Sequence, residues 1–340
     1  MSPLRLTSLA LCAVVLATAC TSPVKTSPRL TEEGFSAAEI EVAPDVERKF
    51  VQAQNAVAFR TLDALIKAQS EPQPIFVAHD SQLRLLGALL RASDGETYKQ
   101  LSQTLQIPGD DDLTYHVVLR RRLAALNHLT NYQHGAAVWM VWPVTPNSGY
   151  VNEMSKYLEV DIYRLGSARK GARAELEKWA KTRDEDFPSP FASLGAQDAI
   201  VAAAIARVQV GEARATSNPE IGVAEGGPDL QWVFSRSPLA DLASIPDSAA
   251  QPYAVPWPDE PTMLTDLAQN YKALGWDYLL GANDLRGINQ ELNRNSSLDG
   301  FKSVVMGDWK SSSGPRTFAY LIHKPTKAIL VTAYLPAKSS

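Results

Sequence analysis

A chain of 340 residues that is 45% hydrophobic and 21% charged can bury one large core or two smaller ones, which excludes a wholly disordered or fibrous class. Thirty-three Lys and Arg against 37 Asp and Glu leave a formal charge of −4, which excludes the strongly basic face of a nucleic-acid binder. The two cysteines are Cys12 and Cys20, so the body of the chain cannot carry a disulfide framework.

The first segment reads as an export signal. Arg5 supplies a positive start, and residues 9–17 are apolar but too few to span a bilayer. Ala17-Thr18-Ala19-Cys20 resembles a bacterial lipobox, with Ala17 where leucine is usual. That resemblance implies cleavage before Cys20 and lipidation of its thiol. The alternative is an ordinary signal peptide cut after Ala19. Residues 1–19 are therefore read as a lipoprotein signal peptide. Residues 20–44, rich in Ser, Thr, Pro and Glu, read as a flexible tether. Residues 45–340 are read as a single domain.

Residues 46–69 place Val46, Phe50, Val57, Leu62, Leu65 and Ile66 on one helical face. Residues 74–107 predict a short strand at Ile75, Phe76 and Val77, then two helices. Leu83, Leu86, Leu89 and Leu90 form the stripe of the first, with Asp80 or Ser81 as its expected cap. Asp94-Gly95 breaks it, Tyr98, Leu101 and Leu105 mark the second, and Pro108-Gly109 ends that one. Residues 114–129 predict a further helix, on which Arg120, Arg121 and Arg122 read as a solvated face rather than a phosphate site. Residues 135–144 are β-prone, with Trp139 and Trp142. Asn147-Ser148 then cap a helix bearing Val151, Met154 and Leu158, and residues 160–163 form the next strand.

Residues 172–182 predict an amphipathic helix with Leu176 and Trp179 inward and an i,i+4 pair of Glu177 and Lys181 outside. Residues 198–210 read as a buried strand. Residues 216–261, thick with Pro, Gly, Ser and Asp, carry no clear pattern. Thr262 is the expected cap of a helix with Leu264, Leu267, Tyr271 and Leu274 inward, stopped by Gly275. Two apolar runs around Lys324-Pro325-Thr326-Lys327 predict a final hairpin.

Catalytic chemistry finds no support. His79, His116, His128, His134 and His323 lack paired metal-ligand spacing. There is no G-x-S-x-G, H-E-x-x-H or Gly-rich phosphate loop. Glu32-Glu33 and Asp184-Glu185-Asp186 read as solvated charge. Trp232 and Trp257 read as packing residues rather than as a ligand surface. No enzyme activity, metal or cofactor is expected.

The order of these segments resembles the serpins. Pro74-Ile75-Phe76-Val77-Ala78-His79 stands where that family has N-I-F-F-S-P, and Gly95-Glu96-Thr97 where it has G-x-G-x-T. Asn55-Ala56-Val57-Ala58-Phe59 stands near N-x-x-F-A-F, and Ala172, Leu176 and Trp179 match A-R-x-x-I-N-x-W-V. Asp266-Leu267, Ala273-Leu274-Gly275-Trp276-Asp277 and Asn283-Asp284-Leu285-Arg286-Gly287-Ile288 stand for D-L-x-x-x-L-x-A-L-G-I-x-D-L-F and A-D-L-S-G-I. The hairpin is similar to the family's C-terminal segment. Ala136 and Ala203 replace usual asparagines, and the tryptophan that normally follows the second of these is missing. The resemblance implies an α+β fold of N-terminal helices plus mixed β-sheets, with a reduced main sheet.

Inhibitory serpins present a long loop that a protease cuts and that then inserts into the main sheet. Here residues 302–317, sixteen in all, occupy that interval. Extended at ~3.4 Å per residue they reach about 54 Å, enough for one strand and a return but not for a further inserted strand. Lys302, Trp309, Lys310 and Pro315 stand where small hinge residues are expected, and proline cannot donate to a central ladder. The reactive loop is therefore expected to be absent or very short. The resulting expectation is a non-inhibitory lipoprotein of the cell envelope, on the bacterial outer membrane or periplasmic face. It would be held at the membrane through Cys20 and bind an envelope protein or serve a structural role. The alternatives are a protease inhibitor acting by blockade or through a bait in residues 216–261, and a small-ligand carrier beside the sheet.

Overall fold

The computed structural model describes residues 41–141, 146–165, 172–192, 194, 200–242, 248–281, 285–288, 292 and 297–339. Cys20, the segment 1–19 expected to be a signal peptide, most of the expected tether 20–44, Trp142 and the Asn283-Asp284 pair lie outside them.

The helices are α1 (Pro44–Ala68), α2 (His79–Ala92), α3 (Gly95–Leu105), α4 (Asp112–Leu126), α5 (Ser148–Leu158), α6 (Ala172–Lys181) and the single turn α7 (Tyr271–Leu274). The strands are β1 (Ile75–Val77), β2 (Tyr132–Val141), β3 (Val160–Leu165), β4 (Ile200–Val208), β5 (Arg214–Thr216) and β6 (Ile221–Glu225). They continue with β7 (Leu230–Ser235), β8 (Ser248–Pro252), β9 (Thr262–Asp266), β10 (Leu298–Gly307), β11 (Thr317–His323) and β12 (Ala328–Leu335). They form two sheets, of order β1-β12-β11-β7-β6-β5-β8 and β3-β2-β4-β10-β9. The class is α+β, as the sequence predicts.

β4 shows why its run is apolar throughout. Ala202, Ala204 and Ala206 belong to the main core, while Val201, Ala203 and Ile205 belong to a second cluster with Leu176 and Trp179 of α6. Alternate residues of a strand point to opposite faces, so a strand covered on both has no polar face to show. The alanines leave room for α2, which runs between the sheets and touches β2, β4 and β12. A helix enclosed in this way must be buried all round. Of its fourteen residues only Arg91 is exposed.

That burial overturns the expected cap of α2. Its N-cap is Ala78, without a side-chain bond, and Ser303 Oγ on β10 accepts the Ala78 amide at 2.8 Å. Ser81 Oγ donates to Ile205 O on β4 at 3.2 Å, and Asp80 turns to Arg84 and Arg122. The arginine run is corrected likewise: Arg122 is buried, Arg120 pairs with Glu159 at 2.8 Å, and Arg121 pairs with Glu47 at 3.1 Å. α3 ends at Gln106, in the left-handed region at φ 52°, before the Pro108-Gly109 stop is reached.

The helix expected from Thr262 is a strand at its start. Thr262–Asp266 pairs antiparallel with β10, and Leu264 is 48% exposed rather than inward. Thr265 Oγ1 fastens the strand to β1, accepting from Phe76 N and donating to Phe76 O. Helical turns begin only at Ala268; Leu267 and Tyr271 are buried, and Gly275 stops α7 at φ 70°, as expected. Pairing with β10 outweighs the local helical period.

Other expectations hold. Asn147 caps α5 through Gly149 N at 2.8 Å, with Val151, Met154 and Leu158 buried. Glu177 and Lys181 pair at 2.8 Å. Trp232 and Trp257 are buried and meet edge to face, their ring centroids 5.9 Å apart. The hairpin β11–β12 forms, and Asn55 of α1 fixes its turn by donating to Lys327 O and accepting from Ile329 N.

Candidate functional site

The interval in which the reactive loop is expected to be absent or very short is the connection between β10 and β11. β10 runs parallel to β4 through residue Gly307, so the connection itself is residues 308–316, nine rather than sixteen. Lys302 is therefore not part of it. That side chain is in mid-strand, paired with Asp266 of β9 and 6.0 Å from the Phe191 ring centroid.

The connection is fastened along its length. Trp309 is buried between Phe76 and Trp257, with ring centroids 4.9 and 5.4 Å away. Its indole N–H donates to Glu260 O at 2.9 Å. The ring lies over Gly307, where a β-carbon would stand 2.0 Å from it, so the residue there must be glycine. Ser312 Oγ donates to Val255 O at 2.6 Å, and Gly314 and Lys338 exchange two backbone bonds of 3.0 and 2.9 Å. Arg236 then closes the end. It donates to Pro315 O, Thr317 Oγ1 and Ala254 O, and stacks 4.0 Å over the Tyr253 ring. Lys310 and Pro315 are exposed, but the backbone on either side of them is held.

Ser311, Lys338 and Asp259 meet on the outer side. Lys338 Nζ is 2.7 Å from both Ser311 Oγ and Asp259 Oδ1, and Ser311 donates to Asp259 at 2.5 Å. Bonds from the Lys338 ammonium and the Ser311 hydroxyl hold the Asp259 carboxyl below its usual range. A serine beside an amine becomes a nucleophile only if the amine can take its proton. Here the amine is committed to a carboxylate, and the trio acts as a clamp.

Beneath β2 and β4, at the start of α2, a charged cluster is sealed from solvent. Asp80 lies 2.8 Å from Arg122 and 3.3 Å from Arg84, and all three are at most 2% exposed. Arg122 also donates to Gln54 Oε1, and Arg84 donates to Ser81 Oγ, His134 Nδ1 and the Leu158 carbonyl that ends α5. A helix C-terminus carries partial negative charge, which offsets part of the excess of two arginines over one aspartate. Burial pushes the Asp80 carboxyl up, but Arg122, Arg84 and His134 outweigh it and hold the pKa at about 2. His79 Nε2 meets Gln54 O at 3.0 Å, and burial lowers the pKa of this histidine to about 4.

Among the described residues no group of three His, Cys, Asp or Glu can hold a metal ion. Of the residues singled out from sequence, Trp309, Lys310 and Pro315 share one connection, Lys302 belongs to the sheet, and Cys20 lies outside the described residues. Arg236, Ser312 and the clamp of Asp259, Ser311 and Lys338 gave no local signal, because each bonds a group more than 25 positions away in the chain. No family model and no curated protein matches this chain.

Proposed function

We propose that this chain is a serpin-like, lipid-anchored protein of the cell envelope that acts by binding another envelope protein and does not trap proteases. The observation that carries the non-inhibitory reading is the connection 308–316, nine residues pinned by Trp309, Ser312, Gly314 and Arg236. A covalent trap needs a free loop and enough chain to form a new strand between β4 and β10. These two strands are already bonded to each other over their length, with no slack in the link that follows.

The serpin-like reading rests on the ordered segments of the sequence, and the topology supports it. A parallel central pair of strands is followed by a short link and a C-terminal hairpin that packs beside β1. α2 packs against β2 and β4, with Ser81 bonded to β4 and the Ala78 amide that precedes the helix bonded to Ser303 of β10.

Two results test the proposal. Incubation of the purified protein with trypsin-, elastase- and subtilisin-like proteases is expected to give no SDS-resistant adduct. A covalent adduct overturns the non-inhibitory reading, and reversible inhibition without one favours blockade. Cys20→Ser is expected to move the protein from the membrane to the soluble fraction and to abolish incorporation of labelled palmitate. Retention of the variant on the membrane removes the lipid-anchor reading. Among the described residues no helix is long and apolar enough to cross a membrane.

A further inference from the structure

A cleft of about 620 Å³ opens between α1, α3 and the turns of residues 271–280. Its size is that of a site for a small organic molecule, on the order of 300–1,000 Å³. It lies away from both the 308–316 connection and the buried charge cluster.

Three features define what could fill it. The first is Thr61 of α1, which lines the cleft and is only 3% exposed. Its hydroxyl has no hydrogen-bond partner among the described residues. The second is Arg60, one residue earlier. Its guanidinium is held by Thr104 O at 3.1 Å and, with the Gln106 amide oriented to accept, by that side-chain oxygen at 2.8 and 3.0 Å. Both partners are neutral, and Arg60 makes no ion pair among the described residues. The third is Asp277, on the part of the lining formed by residues 273–278, exposed and likewise without an ion pair among the described residues. Gln100 and Gln103 of α3 also line the cleft, and Tyr278 OH is bonded to Thr104 Oγ1 at 2.9 Å.

The cleft thus presents one fixed cation and one carboxylate, neither compensated, with two amides and a hydroxyl among its lining. With both Nη2 donors and one Nη1 donor engaged, the guanidinium keeps its Nε–H and one Nη1–H, each able to give a single charge-assisted bond to a carboxylate. A carboxylate accepts from an ammonium, and glutamine side chains can meet both the N–H and the C=O of an amide. An anion would be repelled by Asp277, and a neutral sugar would leave both charges unanswered.

We propose that this cleft binds a short zwitterionic peptide, with its carboxylate on Arg60, its ammonium on Asp277 and its amide groups on Gln100, Gln103 and Thr61. The test is calorimetric titration of the mature chain with a set of free dipeptides spanning small, apolar, acidic and basic side chains. The best binder is then compared with its N-acetylated and C-amidated forms, and a neutral disaccharide serves as control. At least one free dipeptide is expected to saturate the protein at or below the low millimolar range. Blocking either terminus is expected to weaken binding at least about tenfold, and Arg60→Gln and Asp277→Asn to do the same. Both substitutions are on exposed side chains, and thermal unfolding is expected to stay at the wild-type temperature. The proposal is overturned if no free dipeptide saturates, if blocked peptides or both variants bind as well as the originals, or if the disaccharide alone binds.

Discussion

Asp80→Asn is expected to destabilise the protein by about 3–5 kcal/mol, the range found when one partner of a buried ion pair is removed. The substitution keeps the shape of the side chain and removes its charge. Arg84 and Arg122, both within 3.3 Å of the carboxylate and almost wholly buried, would then face an amide. Neither can reach water. Urea unfolding should show a lower midpoint with an unchanged slope, since the native surface is the same. A variant within about 0.5 kcal/mol of wild type would show that the cluster is not a stability element.

The same cluster sets the response to acid. His79 has its pKa lowered to about 4 by burial, so below the ordinary histidine value the unfolded chain takes up a proton that the folded chain refuses. Stability is complete above about pH 6.5 and declines toward pH 4. Asp80 acts next. Its folded pKa of about 2 lies below its unfolded value, so its contribution is present above about pH 4 and is lost as pH falls toward 2. Stability measured by urea unfolding from pH 7 to pH 3 should fall across both windows. In Asp80→Asn the lower step should be reduced while the upper one remains.

Trp309→Ala should have an effect of similar size, about 3–5 kcal/mol for truncating a large buried aromatic. Its ring is the middle layer of the Phe76–Trp309–Trp257 stack, so the loss also unpacks the bed on which the connection rests. Limited proteolysis distinguishes this from a general loss of stability. The wild-type protein should resist cleavage within residues 308–316 under native conditions. The variant should be cut there before it is cut elsewhere. Equal resistance in both proteins would mean that the Ser312, Gly314 and Arg236 bonds hold the connection without the tryptophan.

The sequence places Trp309 and Pro315 where a hinge would need small residues, and that chemistry is enough to predict a link unsuited to insertion. It does not show where the strand before the link ends. Lys302 looks like a loop residue because a lysine in a short apolar run has no evident partner nearby in the chain. Its partner, Asp266, lies 36 residues away on β9. The pairing keeps the ammonium compensated at the edge of the sheet, and the strand continues to Gly307.

What the sequence by itself determined is the set of elements whose burial pattern is local. α2 and α5, the apolar run of β4 and the β11–β12 hairpin each follow from spacing that a single segment carries, as do the Asn147 cap and the Gly275 stop. Only the tertiary structure decided what depends on partners far along the chain. Thr262–Asp266 is a strand because β10 offers it an edge, although its apolar spacing fits a helix. Asp80 is a buried counter-ion rather than a helix cap because α4 brings Arg122 to it across 42 residues. Arg60 and Asp277 face one cleft because α1 and α7 pack together. In each case the backbone or charge is satisfied by a group that local spacing cannot reveal, since burial makes an unpaired group costly wherever its partner lies in the sequence.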